Sequence, residues 1–184
     1  MWQHGGVDGY VAGQLLVASP LLLDPNFFRS VVLILQHDED GAVGVVLNRP
    51  STEPVVDHLP EWAPRLEGDG VVFLGGPVEP EVAIGVVRTT RPGQPTPVAE
   101  VGMVDLGDDP AAANSGPIRV YSGYAGWGSG QLEAELAEGA WVVVSAQAED
   151  VFTPDPSRLW SEVLRRQRGS LALLASFPPD PALN

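Results

Sequence analysis

Gly123-Tyr124-Ala125-Gly126-Trp127-Gly128-Ser129-Gly130-Gln131-Leu132-Glu133 places four glycines and two large aromatics in eight residues, directly ahead of a helical pattern. Glycine costs backbone entropy, so such a density needs a reason: positive φ, or close approach of another backbone or a ligand. Glycines that expose N–H groups ahead of a helix start resemble an anion-cradling turn. The phosphate-loop lysine is missing, however, and Gly126-x-Gly128-x-Gly130 is not the dinucleotide spacing. The residues themselves favour a sharp structural corner, with Tyr124 and Trp127 plugging the core.

Upstream, Ile118–Ser122 reads as a strand that feeds this run. Downstream, Gln131–Glu138 reads as a helix with Leu132 and Leu136 on one face, ended by Gly139. Trp141–Ser145 is a buried strand. Towards the N-terminus, Gln14–Ala18, Val31–Gln36 and Val43–Leu47 are short apolar strands. The last two are joined by the polar His37-Asp38-Glu39-Asp40-Gly41, which makes them antiparallel neighbours. Val71–Leu74, Val82–Arg88 and a weaker Val101–Leu106 add strands.

Val55–Leu59 suggests a short helix capped by Ser51 or Thr52, and residues 60–70 a loop. The best helix start is Asp155-Pro156, followed by Leu159, Trp160, Val163 and Leu164 on one face. Leu171–Leu174 reads as a returning strand. Strands dominate without a regular βα repeat, which argues for α+β. No linker or internal repeat divides the 184 residues, so one domain is expected over 1–184, with 1–9 and 178–184 peripheral.

Composition bounds function. Cysteine is absent, which removes disulfides, thiolate nucleophiles and Cys-based zinc sites. There are 24 acidic residues against 10 arginines and no lysine, for a net charge of −14. Such a surface repels nucleic-acid phosphates unless a local basic patch intervenes. Arg158, Arg165, Arg166 and Arg168 form the one cluster, and cations in a final helical turn also simply suit the helix dipole. No apolar run approaches the length of a membrane span, and no signal peptide is visible, which leads us to expect a cytoplasmic protein. His37 with Asp38, Glu39 and Asp40 offers metal donors in one loop, but acidic hairpin loops are ordinarily solvated. No metal or cofactor is expected.

Several blocks stand in register. They are Asp24-Pro25-x-Phe27-x-Arg29-Ser30-Val31, then His37, then Gly41-Ala42-x-Gly44-x-x-x-Asn48-Arg49-Pro50, then Gly75-Gly76-Pro77-Val78, then the run from Gly123 to Leu136, and Trp141. Together, over about residues 10–176, they resemble the bacterial YqgE/AlgH family. The resemblance implies a strongly twisted, split, mixed or antiparallel sheet curled toward a pseudo-barrel, with a few helices packed outside. It also implies a bacterial cytosolic protein and brings a regulatory label, control of alginate production. It carries over no catalytic residues. The sequence departs from the family pattern between Val98 and Gly116.

The leading expectation is a non-enzymatic regulatory or interaction protein that binds a small ligand or a protein partner and acts on transcription indirectly. If a ligand site exists, Asn48, Arg49, Gly75, Gly76, Tyr124, Trp127 and Gln131 should share one groove. Strand-end turns gather at a sheet edge, and arginine with backbone amides favours a small anionic ligand. Two alternatives stand beside it: a hydrolase using His37 or His58 with carboxylates, and a direct DNA-binding regulator.

Overall fold

The computed structural model describes residues 10–88, 94–95, 98–111 and 116–178. The strands are β1 (Gln14–Ala18), β2 (Val31–Asp38), β3 (Gly41–Val46), β4 (Pro50–Pro54), β5 (Val71–Leu74), β6 (Val78–Arg88), β7 (Gln94–Pro95), β8 (Val101–Val104), β9 (Ile118–Gly128) and β10 (Trp141–Ser145). The helices are α1 (Gln131–Ala137), α2 (Ala148–Val151), α3 (Leu159–Arg165) and α4 (Ser170–Leu174). Short 3-10 segments cover Val55–Asp57, Pro60–Arg65 and Pro156–Arg158. The expected α+β class holds. The sheet is mixed and stays open, running β10-β1-β2-β3-β9-β6-β8-β7, with β5 also on β9 and β4 on β5.

β9 is where the sheet splits. Its second half pairs antiparallel with β3, Ala125 opposite Gly44 and Gly128 opposite Gly41. Its first half pairs in parallel with β5, Tyr121 opposite Phe73, on one edge. On the other edge Tyr121 faces Ile84 of β6. A strand has only two edges, so the chain leaving β5 must pass over β9 to begin β6. Gly75-Gly76-Pro77 makes that crossing, and Gly123 lies beneath it. A Cβ at Gly75 would sit 2.3 Å from the Gly123 carbonyl oxygen, and one at Gly76 2.1 Å from the Tyr124 carbonyl carbon. Gly123 itself has φ 67°. The glycine blocks at 75–76 and 123 thus answer each other: two backbones touch, and neither tolerates a side chain.

The expected corner at 123–130 is therefore not a corner. β9 stays extended to Gly128, and the chain turns only at Ser129-Gly130. Of the run's glycines, Gly123 serves the inter-strand contact and Gly130, with φ 72°, the turn, whereas Gly128 has nothing within 4 Å of a would-be Cβ. Of the two aromatic plugs, Trp127 is buried, whereas Tyr124 lies on the surface with its hydroxyl on Glu79, 2.8 Å away.

Both faces of β1–β3 are covered, which is why β1 and β2 read as unbroken apolar runs rather than alternating ones. Leu15, Val17, Val31 and Leu33 pack with Trp160, Val163 and Leu164 of α3. Their neighbours Leu16, Ala18, Val32 and Ile34 face the other way, towards Leu132 of α1, Trp127 and Trp141. A third cluster lies over β5 and β9, where Trp62 and Val55 meet Val72, Ile118 and Val120. The expected loop 60–70 accordingly contains an anchored 3-10 segment, entered at Pro60. Trp62 is fully buried there and donates its indole N–H to the Leu106 carbonyl.

Leu171–Leu174, read as a strand, is helix α4. The run Leu-Ala-Leu-Leu contains no β-branched residue and has high helix propensity, and so short a run does not let periodicity separate the two. The 155–165 helix begins as expected, although Asp155 accepts the Ser157 hydroxyl instead of capping a backbone N–H. The predicted helix at 55–59 is a 3-10 turn, and Ser51 accepts the Glu53 N–H from within β4. Of the segments 1–9 and 178–184, expected to be peripheral, all but Pro178 lie outside the described residues, as does part of the divergent 98–116 segment. No helix among the described residues is long and apolar enough to cross a membrane.

Candidate functional site

The seven residues expected to share a groove divide into separate groups. Asn48 and Arg49, at the exit of β3, both hold the loop after β1. Asn48 Nδ2 donates to the Arg29 carbonyl, and its Oδ1 accepts the Val31 N–H. The Arg49 guanidinium donates to the carbonyls of Pro25 and Phe28, each at 3.0 Å. Partial burial lowers its pKa from the ordinary arginine value, and Asp24 nearby opposes that shift. Gly75 and Gly76 form the crossing over β9, close to Arg49, whose carbonyl accepts the Leu74 N–H. Tyr124 meets Gly76 through its backbone, while its side chain lies at the surface with its hydroxyl on Glu79.

Trp127 and Gln131 belong to the opposite end of β3, next to the Gly41–Gly128 pair. There Glu135 gathers the donors around it. Its Oε2 accepts the indole N–H of Trp127 at 2.9 Å and of Trp141 at 2.7 Å, and its Oε1 accepts the Gln131 amide at 3.1 Å. Gln131 also accepts the Gly128 N–H. Phe27 closes the cluster, stacked on Trp127 and edge-on to Trp141. The loop pinned by Asn48 and Arg49 is thus the loop that delivers Phe27 to the tryptophans. Arg29, near its end, stands over the Trp160 ring at 3.9 Å and donates to the Phe177 carbonyl.

An actual cavity lies elsewhere. The Val72–Val120 row faces the 3-10 cover built by residues 55–65. That cover ends one row short. The next row across the sheet, Leu74–Ser122–Ala83, is paired in register and faces outward, with Leu74 49% exposed. The step between covered and uncovered rows forms a groove of about 310 Å³, lined by Val55, Leu59, Val72, Val82, Ala83 and Val120. Glu53, His58, Glu81 and Ser122 also line it. Ser122 Oγ donates to the Pro80 carbonyl. His58 lies 3.6 Å from Glu53, both largely exposed, while Glu81 has no cationic partner among the described residues.

A model of the AlgH-like family matches residues 15–172. The chain belongs to the AlgH-like family. A UPF0301 protein of Streptomyces coelicolor is 52% identical, with 95% of each chain covered, and one from Mycobacterium tuberculosis is 43% identical over 94% of this chain and 90% of that one. Among solved structures, a Corynebacterium diphtheriae protein, DIP2367, superposes with a TM-score of 0.86 at 31% identity, covering 96% and 95% of the two chains. The solution structure of AlgH from Pseudomonas aeruginosa gives 0.68 at 30% identity, covering 97% and 98%.

Within this AlgH-like fold, none of the seven expected residues lines the groove, and the polar side chains among them are spent on internal partners. His58 does line it. His37 does not: its ring is buried, Nδ1 accepts the Val11 N–H and Nε2 donates to Glu133 at 3.1 Å. That places its proton on Nε2 and gives it the job of tying the N-terminal segment to α1. Among the described residues, no group of three or more His, Asp or Glu is placed to hold a metal. Two of the four clustered arginines have carboxylate partners. Arg166 makes a bidentate pair with buried Asp150 and also caps the Ser145 carbonyl, and Arg158 pairs with Glu162 one turn on. The groove itself left no mark in the sequence, because Val72, Val82, Ala83 and Val120 look like any other strand residues until pairing fixes which of them the 55–65 segment covers.

Proposed function

We propose that this AlgH-like chain is a non-enzymatic interaction protein that seats its ligand or protein partner in the groove beside β9. One observation carries the reading: an open apolar floor, ringed by polar side chains, directly beside the covered Val72–Val120 row. Apolar concavities with a few polar groups are the usual form of binding sites, and about 310 Å³ lies at the small end of their range. The reading does not extend to catalysis. His58 and Glu53 stand 3.6 Å apart at the rim, and the neighbouring Ser122 hydroxyl is committed to the Pro80 carbonyl instead of the imidazole. Regulation of transcription, where it occurs, would run through the bound partner, since the net charge of −14 opposes direct contact with phosphates.

The test is native mass spectrometry of the full chain purified gently from its own host, alongside Ala83→Trp. Ala83 is exposed on the groove floor, so the indole fills the groove without entering the core. The wild-type chain should retain a species that the variant lacks. Equal retention by both would sink the reading.

A further inference from the structure

We infer that the occupant of this groove is an extended segment of a partner protein in which an apolar residue is flanked by lysine or arginine. The inference rests on the reading of the groove as a binding site and goes further, to the chemistry of its occupant.

Two observations point there. The first is shape. The apolar surface does not stop at the cavity: Leu74, 49% exposed and outside the lining, continues it along the row that holds Ser122 and Ala83. A strip suits a chain with alternating side chains better than a compact molecule, because an extended segment places every second residue on one face. The second is charge. Glu53 and Glu81 contribute carboxylates from opposite walls, one from β4 and one from β6, and Glu81 has no cationic partner among the described residues. Glu79, just before Glu81 on the same strand, accepts the Tyr124 hydroxyl at 2.8 Å. The whole chain has no lysine and 24 acidic residues, so a basic segment is drawn in at long range as well as held at the rim. An anionic occupant finds little support: His58 in the lining already stands 3.6 Å from Glu53, and Arg49, which precedes the β4 wall in the chain, faces the Pro25–Phe28 loop with both terminal nitrogens engaged.

Random peptides displayed on phage and selected on the full immobilised chain test this directly. Enriched sequences should combine lysine or arginine with an apolar residue. They should lose binding on Ala83→Trp and weaken about tenfold on the Glu53→Gln, Glu81→Gln double variant, which removes both rim charges. Unchanged circular dichroism and melting temperature show that the variants remain folded. Peptides that need an open groove but show no basic preference, and ignore the double variant, would overturn the charge assignment and leave the groove reading standing. Selection of peptides that bind Ala83→Trp equally well, or of none at all, would overturn a peptide occupant. A small cation retained by the native protein in that case would keep the groove and remove only the peptide.

Discussion

At the scale of single residues, the side chains that mark this family act on one another more than on solvent. Glu135 shows this best. One carboxylate oxygen satisfies two indole N–H groups, so truncation strands both donors in a largely buried cluster. Glu135→Ala should cost about 2–3 kcal/mol in urea unfolding, and Glu135→Gln, which keeps a carbonyl acceptor, about 1 kcal/mol. Arg49 gives a complementary case. Its two nitrogens span two carbonyls, a geometry that a lysine ammonium does not reproduce. Arg49→Lys should therefore lose about 1–2 kcal/mol and alter tryptophan fluorescence, because the same loop carries Phe27 onto Trp127 and Trp141. At Tyr124 the hydrogen bond to Glu79, followed by slight desolvation and the charges of Glu79 and Glu81, raises the phenol pKa above its ordinary value. Glu79→Ala removes the hydrogen bond, the largest cause, together with the Glu79 charge, so the absorbance titration of Tyr124, obtained by difference from Tyr124→Phe, should move to lower pH.

At the scale of elements, the crossing of β5 over β9 decides the fold. Gly76→Ala drives a Cβ into the Tyr124 backbone and should cost roughly 3 kcal/mol or prevent folding. Gly128, in the same glycine-rich strand that lies beneath the crossing, has nothing within 4 Å of its would-be Cβ, so Gly128→Ala should change stability by less than about 0.5 kcal/mol. Comparing the two by thermal melting separates glycine that backbone contact requires from glycine that it does not. The same contrast explains what was legible in sequence. The central strands were, because Leu15–Ala18 and Val31–Ile34 are apolar on both faces. The glycine blocks announced close contact, but sequence could not say with what: Gly75-Gly76 and Gly123 are far apart in the chain, and only the parallel pairing of β5 with β9 brings them together. α4 reads as a strand because Leu-Ala-Leu-Leu is apolar and short, and that it has no strand to pair with in the finished sheet is a fact those residues do not contain. The groove was illegible for a similar reason. It exists because residues 55–65 stop one row short of Leu74–Ser122–Ala83.

At the scale of the whole molecule, different parts of β9 carry different burdens. The Gly123–Gln131 run and its companions Asn48, Arg49 and Glu135 bind the sheet, α1 and the 24–29 loop into one framework. The row through Ser122 remains open to solvent beside an acidic rim. The central claim is that binding occurs at that row and not at the glycine-rich run. A photo-crosslinking benzophenone amino acid placed at Val82, in the groove, or at exposed Gln131, beside the run, tests it inside the host cell. The predicted result is a discrete higher-mass adduct from position 82 and none from position 131. Adducts from position 131 with none from position 82 would contradict it.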